Sequence, residues 1–470
     1  MKNGIKIVVK LFLLLGFMLV SVLVLRAIFN PEKPNDGVHF RNLPKNSLDI
    51  LIFGSSQAQY SLNPVFIYEK TGLYSYVLGS PCQPVPVSYQ YLKEALLTQS
   101  PKVVVLDVFT LLPASSVCAS NGIVKTGADN LTGIRRYMAL SYIEDKEVFW
   151  NYAFDLQAFH SRWRDIGWHE FVADTGFNES MGCVIVPPEE FEFRYLVPFQ
   201  VQDNHYPLPE KDVAALLDII ALCKEKGIQL YLVKTPFDTD QASYDALQAV
   251  WDIAHQHQVE VVDYLKLANE IGFALGIHGD TWHNNVWGSY RVSNHLASKI
   301  ADEVEFDHHE NKQIDNLLKE LTDVTLYQFL CELPDPYQYF RFVSSYDVIL
   351  LVQYQGMPTT SIGESEATVL NQAGINFDFI DNYNENYYAV VVNGQTLVSS
   401  TEEVEVEVEG HQIFINETGI WVDGNPTTEQ KGELLVTVIP HNFGWMNSID
   451  IDYSSRFFWK NGYDGFEKNR

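Results

Sequence analysis

Leu48-Asp49-Ile50-Leu51-Ile52-Phe53-Gly54-Ser55-Ser56-Gln57-Ala58 runs from an apolar segment straight into a glycine-serine turn. Leu48 to Phe53 has the length and composition of a strand buried on both faces, and Gly54-Ser55-Ser56 closes it tightly. A serine at this point, where a strand gives way to a helix, sits at the carboxyl edge of an open parallel sheet, where such folds bind ligands. The start of the following helix offers free N–H groups and positive potential, which suit a developing oxyanion. The same residue type in the same place also serves as a plain helix cap, and the segment alone leaves both readings open.

Further along, Val103 to Val108, Gly227 to Val233 and Val259 to Asp263 read as buried strands, and Tyr244 to His255 as a helix between the last two. Short apolar strands alternating with helices describe a parallel sheet covered on both faces. The stretch from about 111 to 209 is too long for a plain crossover and is expected to be a helical insertion near the site. Its arginines, Arg135, Arg136, Arg162 and Arg164, either meet an anionic substrate or form surface ion pairs in an acidic protein. Residues 306–340 read as a helical connector. Beyond it, Val348 to Gln353 and Leu434 to Ile439 are strands, and Gly363 to Gly374 is a short helix. Tyr387 to Val392 and Gln395 to Val398 flank Asn393-Gly394, a strong hairpin signal. Val404 to Glu409 alternates Val and Glu, the pattern of a strand with one face in water. Residues 341–470 are therefore expected as a β-rich α+β domain.

At the other end, Leu11 to Leu25 is an uncharged apolar run between Lys10 and Arg26. With its flanks it reaches the roughly twenty residues that a bilayer helix needs. Lys2, Lys6 and Lys10 precede it, so the positive-inside rule puts the N-terminus in the cytoplasm and the body outside. Residues 1–29 are expected as cytoplasmic tip and transmembrane anchor, and 30–47 as a polar linker. The net charge of -28 over 470 residues argues against nucleic acid, which needs a basic face. The five cysteines are scattered without metal-ligand spacing, so neither a zinc site nor a disulfide framework is indicated, although the compartment permits a bridge.

The second chemical segment is Gly279-Asp280-Thr281-Trp282-His283-Asn284-Asn285-Val286-Trp287-Gly288. Asp and His three apart can lie on one side of a turn, where the carboxylate holds the imidazole in the tautomer that accepts a proton from serine. His278, Asp280 and His283 could also ligate a metal, but no further His, Asp or Glu cluster adjoins them. Trp282 and Trp287 could stack on a sugar ring or pack the loop.

Together, Gly-x-Ser56 and Asp280-x-x-His283-x-Asn285-x-x-Gly288 resemble the SGNH/GDSL hydrolase superfamily, over about residues 46–302. The resemblance implies a flavodoxin-like three-layer sandwich, no cofactor or metal, and a triad of Ser56, Asp280 and His283. It implies an oxyanion hole from the backbone N–H groups of Ser56 and of Cys82, which stands in Leu78-Gly79-Ser80-Pro81-Cys82-Gln83-Pro84 at the family's usual glycine. It places Gln83, Trp282 and Asn285 at the substrate. The family's asparagine block after the next strand is missing, and Asp107 and Thr110 stand nearby without being a clean replacement. With the anchor, the chain resembles the membrane-anchored branch that acylates or deacylates surface polymers, including the D-alanine transfer protein of teichoic acid synthesis and polysaccharide O-acetyltransferases. That implies a glycan or teichoic-acid-like polymer as partner, and a multi-spanning acyltransferase beside it. The last 120 residues resemble the interleukin-like domain of secreted proteins, which implies carbohydrate or protein binding. The expected activity is an extracytoplasmic serine esterase or O-acyltransferase in residues 48–305. The competing expectation is a non-catalytic scaffold of the same fold.

Overall fold

A computed structural model of the chain describes residues 2–29, 36–118, 120–154, 180–185, 202, 206–236, 239–267, 270–271, 283–307, 310–318, 321, 330–331, 336–344, 346, 348–355, 364–376, 386–428, 430–441, 444–452 and 457–463. The chain divides into two compact units, one of residues 1–186 with 191–314, the other of 187–190 with 315–470.

The first unit opens with α1 (Lys2–Phe29) and α2 (Asp36–Asn42). There follow β1 (Ile50–Gly54), α3 (Ser56–Ser61), α4 (Pro64–Thr71), β2 (Ser75–Gly79), α5 (Val85–Ala95) and β3 (Val103–Asp107). Then come α6 (Asn121–Asp129), α7 (Gly133–Leu140), α8 (Lys146–Phe154), α9 (Glu210–Lys226), β4 (Gln229–Lys234), α10 (Gln241–Gln256), β5 (Glu260–Asp263) and α11 (Val286–Glu303).

The five strands form one sheet in the order β2-β1-β3-β4-β5, and every neighbouring pair is parallel. Every residue of β1, β2 and β3 is buried, as covering helices on both faces require. The order reverses between β1 and β3, so the crevice at their carboxyl ends is the natural ligand site of this topology. Ser56 begins the helix that leaves β1 at that point.

Two expectations change here. Ser75–Gly79, absent from the strands read by apolar run, is the edge strand of the sheet. The linker expected over 30–47 contains α2, whose Phe40 is buried edge-on against Tyr76 at 5.2 Å. The apolar N-terminal run does lie in one helix of 28 residues, α1, with Ile7, Leu11, Phe12, Phe17 and Val20 exposed. Nevertheless, among the described residues no helix is long and apolar enough to cross a membrane.

The second unit contains α12 (Pro336–Val343), β6 (Ile349–Tyr354), α13 (Glu364–Gln372), β7 (Tyr387–Val392), β8 (Gln395–Ser400), β9 (Val404–Val408), β10 (His411–Asn416) and β11 (Gly419–Val422). It ends with β12 (Asn425–Pro426), β13 (Leu434–Ile439), β14 (Met446–Asp452) and β15 (Phe457–Tyr463). These strands make a six-stranded sheet, β15-β14-β13-β6-β7-β8, and a four-stranded one, β12-β11-β10-β9. Their inner faces share one core, in which Ile349, Leu351 and Val390 of the larger sheet meet Val404, Ile413 and Ile415 of the smaller. In β9 the valines at both ends are buried while Glu405 and Glu407 face water, matching the alternation in the sequence. Asn393 and Gly394 both have positive φ, +52° and +72°, the conformation of a tight two-residue hairpin turn.

Because Ile413 is fully buried between these sheets, Ile413→Ala is expected to destabilise the second unit by about 2–5 kcal/mol. Glu405→Gln, on the wet face of β9, is expected to change stability by less than about 0.5 kcal/mol. Urea unfolding of the full chain measures both.

Candidate active site

Ser55 and Ser56 divide the work at the end of β1. Ser55 is the buried N-cap of α3, in extended conformation, and its Oγ accepts a hydrogen bond from Gln57 N at 3.1 Å. Its own hydroxyl donates to Asp107 Oδ2 at 2.8 Å. With Ser55 spent on capping, Ser56 is the first helical residue. Its amide has no intrahelical acceptor, and its hydroxyl is turned to His283, whose Nε2 lies 2.9 Å from Ser56 Oγ.

Two further features hold that pair. Tyr60 stands one helical turn after Ser56, and its ring stacks on the His283 imidazole at 4.3 Å between centroids. The segments carrying the two residues are also pinned to each other. Asn284 Nδ2 donates to Ser61 Oγ at 2.9 Å, and Asn63 N donates to Ser293 Oγ at 2.9 Å. Ser293 Oγ in turn donates to Ser61 O at 3.2 Å, and Phe66 meets Tyr290 edge-on at 5.3 Å. None of these contacts was anticipated. Only the spacing of four between Ser56 and Tyr60 gave a sequence signal.

Gly54 permits the turn. A Cβ at this position would stand 2.6 Å from Asp107 Cβ, so the close approach of β1 to β3 here requires glycine. Asp107 itself is wholly buried and lies under the turn, where it accepts from Ser55 Oγ, from Ser55 N at 3.4 Å and, through Oδ1, from Phe109 N at 3.2 Å. Burial pushes its pKa up to about 6, against the opposing pull of the Ser55 hydrogen bond and the Lys234 charge. As an acceptor beneath the turn it does not replace the missing asparagine. Nor does Thr110, whose Oγ1 donates to Gln83 O at 3.1 Å.

Ser80-Pro81-Cys82-Gln83 forms a turn closed by Gln83 N donating to Ser80 O at 3.1 Å. Cys82 adopts φ +52° at its third position, a left-handed conformation that ordinarily favours glycine. The turn follows β2, whose last residue, Gly79, pairs with Gly54, so it stands beside the Ser55-Ser56 turn. Cys82 is disulfide-bonded, a bridge of the kind the expected compartment permits. Cys183, Cys223 and Cys331 are free, and burial pushes the Cys183 and Cys223 thiols up to about 12.

Gln83 and Asn285, expected at the substrate, are both buried and hydrogen-bonded within the protein. Gln83 Nε2 donates to Leu78 O at 3.1 Å and Ser88 Oγ at 2.9 Å, while its Oε1 accepts from Ser80 Oγ at 3.0 Å. It braces the Cys82 loop. Asn285 Oδ1 accepts from Gly288 N at 3.1 Å and caps α11. Arg136 is likewise structural, with its guanidinium held by Asp129 at 2.9 Å and by Tyr152 O at 3.0 Å. Asp280, Trp282, His278, Arg162 and Arg164 lie outside the described residues, as does the Trp287 side chain. Among the described residues no group of His, Cys, Asp and Glu is arranged to hold a metal.

No family model and no curated protein matches the chain. Among solved structures it is similar to a Bacteroides fragilis protein described as an acylhydrolase, with 12% identity over 58% of this chain and 97% of the other, at a TM-score of 0.29. It is also similar to two variants of an acetyl-xylooligosaccharide esterase from Geobacillus, both at 14% identity over 57% of this chain and 100% of theirs, with TM-scores of 0.28 and 0.27.

Gly54→Ala is expected to destabilise the first unit by about 1–3 kcal/mol through overpacking, measured by the denaturation midpoint. A second outcome concerns the bridge at Cys82. If it is intramolecular, it consumes two of the five cysteines, so alkylation of denatured, unreduced chain should label three thiols, rising to five after reduction. Mass spectrometry counts them.

Proposed function

We propose that this chain is an extracytoplasmic serine esterase or O-acyltransferase, tethered to a membrane by α1, that acts on acyl esters of cell-surface glycans or related polymers. The observation that carries the reading is the 2.9 Å contact between Ser56 Oγ and His283 Nε2 at the carboxyl edge of the parallel sheet. A hydroxyl becomes a useful nucleophile when an imidazole within hydrogen-bond reach removes its proton.

In this scheme His283 Nε2 takes the proton as Ser56 Oγ attacks the ester carbonyl. Asp280, three residues before His283, orients the imidazole and offsets the imidazolium charge. The developing oxyanion is met by the Ser56 amide at the start of α3 and by the Cys82 amide from the neighbouring turn. His283 then returns the proton to the departing alcohol. The acyl group leaves Ser56 on water in an esterase, or on a polymer hydroxyl in a transferase, with the proton again passing through His283. Stacking by Tyr60 keeps the imidazole plane aligned through both half-reactions.

α1 carries the apolar run Leu11 to Leu25, which is the proposed tether. Its apolar side chains are exposed. The bonded state of Cys82 supports an oxidising compartment for the body.

Ser56→Ala is expected to lower kcat/KM on an activated ester by about four orders of magnitude or more. It should also abolish labelling by a fluorophosphonate probe, while Ser55→Ala remains labelled. Undiminished turnover in the Ser56→Ala chain would sink the assignment.

A further inference from the structure

A cavity of 540 Å³ opens beside Cys82 on the same edge of the sheet as Ser56. Its volume falls within the roughly 300–1,000 Å³ of small-ligand sites. Cys82 and Pro84 bring the loop after β2 to its wall, Thr110 and Ser115 the segment after β3, and Lys211 and Asp212 the first turn of α9. The nucleophile scheme uses none of these side chains.

Asp212 is the informative residue. It is 3% exposed, yet it lines the cavity. Oδ2 accepts from Tyr142 OH at 3.1 Å, while Oδ1 is buried without any hydrogen-bond partner. An unpaired buried carboxylate oxygen is destabilising, so a ligand that donates to it offsets a cost already present in the fold. Burial accordingly pushes its pKa up to about 6.

Three hydroxyls and the charged groups of the wall point the same way. The Thr110 hydroxyl is spent on Gln83 O, that of Ser115 on Leu112 O at 2.7 Å, and that of Tyr142 on Asp212. What these groups still offer the cavity is lone pairs. Glu144, Asp145 and Asp212 line it against one cation, Lys211, which is already paired to Glu144 at 2.7 Å. Asp145 caps α8 through Glu147 N at 2.8 Å. Such a wall repels anions. Its acceptors are spread over several elements, which suits a ligand carrying several donors rather than one point charge.

We propose that this cavity is a subsite for a neutral polyhydroxyl saccharide unit, with a sugar hydroxyl donating to Asp212 Oδ1. The inference rests on the esterase or transferase reading and sharpens it: the polymer is a neutral glycan, not an anionic one.

Calorimetry on the full chain carrying Ser56→Ala, which removes turnover, tests this with neutral gluco-, xylo-, manno- and galacto-oligosaccharides, an oligogalacturonate and a chitosan oligomer. At least one neutral oligosaccharide should bind with Kd below about 10 mM. The uronate should bind at least tenfold more weakly. Asp212→Ala should weaken neutral binding at least tenfold, and so should Asn121→Trp, which obstructs the cavity from the start of α6 without touching Asp212. Unchanged melting temperatures exclude misfolding as the cause. Absence of neutral binding, equal or tighter binding of the uronate or chitosan, or full binding in both cavity variants would overturn the proposal. Loss of Ser56 labelling in the otherwise wild-type chain would condemn the nucleophile reading instead, so the two failures are distinguishable.

Discussion

The contact between Ser56 and His283 joins residues 227 positions apart, and the first unit is arranged so that it can exist. The proposed roles of nucleophile and base demand a geometry held within a few tenths of an ångström, because a misplacement near 1 Å can cost about a hundredfold in rate. No single element provides that precision. β1 aims the chain, Gly54 allows the turn to lie against Asp107, and Ser55 caps α3 so that Ser56 need not. On the other side, the hydrogen bonds of Asn284 to Ser61 and of Asn63 to Ser293 fix the segment after His283 against the segment after Ser56. The pair is therefore clamped a few residues downstream on both chain segments, and Tyr60 limits rotation of the ring.

What could be read in advance follows from how local each signal is. The β1 turn was legible because an apolar run, a glycine and two serines fit within a few residues. His283 was legible because its spacing from neighbouring polar residues is distinctive. Gln83 and Asn285 are ambiguous in sequence for a physical reason: an amide that binds a ligand and an amide that braces a loop have the same local sequence. Only the partners, Leu78 O and Ser88 for one and Gly288 N for the other, separate the cases. The bonded state of Cys82 was hidden because an odd set of scattered cysteines does not encode pairing. β2 escaped because Ser75-Tyr76-Val77-Leu78-Gly79 is short and begins and ends on non-apolar residues.

In the second unit the strand alternation of β9 and the Asn393-Gly394 turn read directly. Two further turns used the same chemistry without being recognised. Glu409-Gly410 and Asp423-Gly424 also have positive φ at both positions, and they join β9 to β10 and β11 to β12. Asp-Gly is a strong hairpin signal in its own right. Glu-Gly is not, since a left-handed glutamate has no side-chain compensation, and tertiary pairing of the flanking strands determines the turn there.

In the first unit, buried charge lies below the Ser55-Ser56 turn. Asp107 and Lys234 are both almost wholly buried, at the carboxyl ends of adjacent strands β3 and β4. Lys234 Nζ donates to Thr235 O at 2.6 Å, and Thr235 Oγ1 donates to Gln57 Oε1 at 3.1 Å. Asp107 reaches Ser55 from below while the Lys234–Thr235 chain reaches Gln57, the residue after Ser56. Two opposite buried charges that feel each other add little net stability, since desolvation offsets attraction, but they tolerate displacement poorly because either charge alone would be stranded. Placed under both flanks of Ser56, that intolerance becomes positional precision. An apolar floor could have supported the turn as firmly, yet it would have allowed the small slides that a directional network forbids.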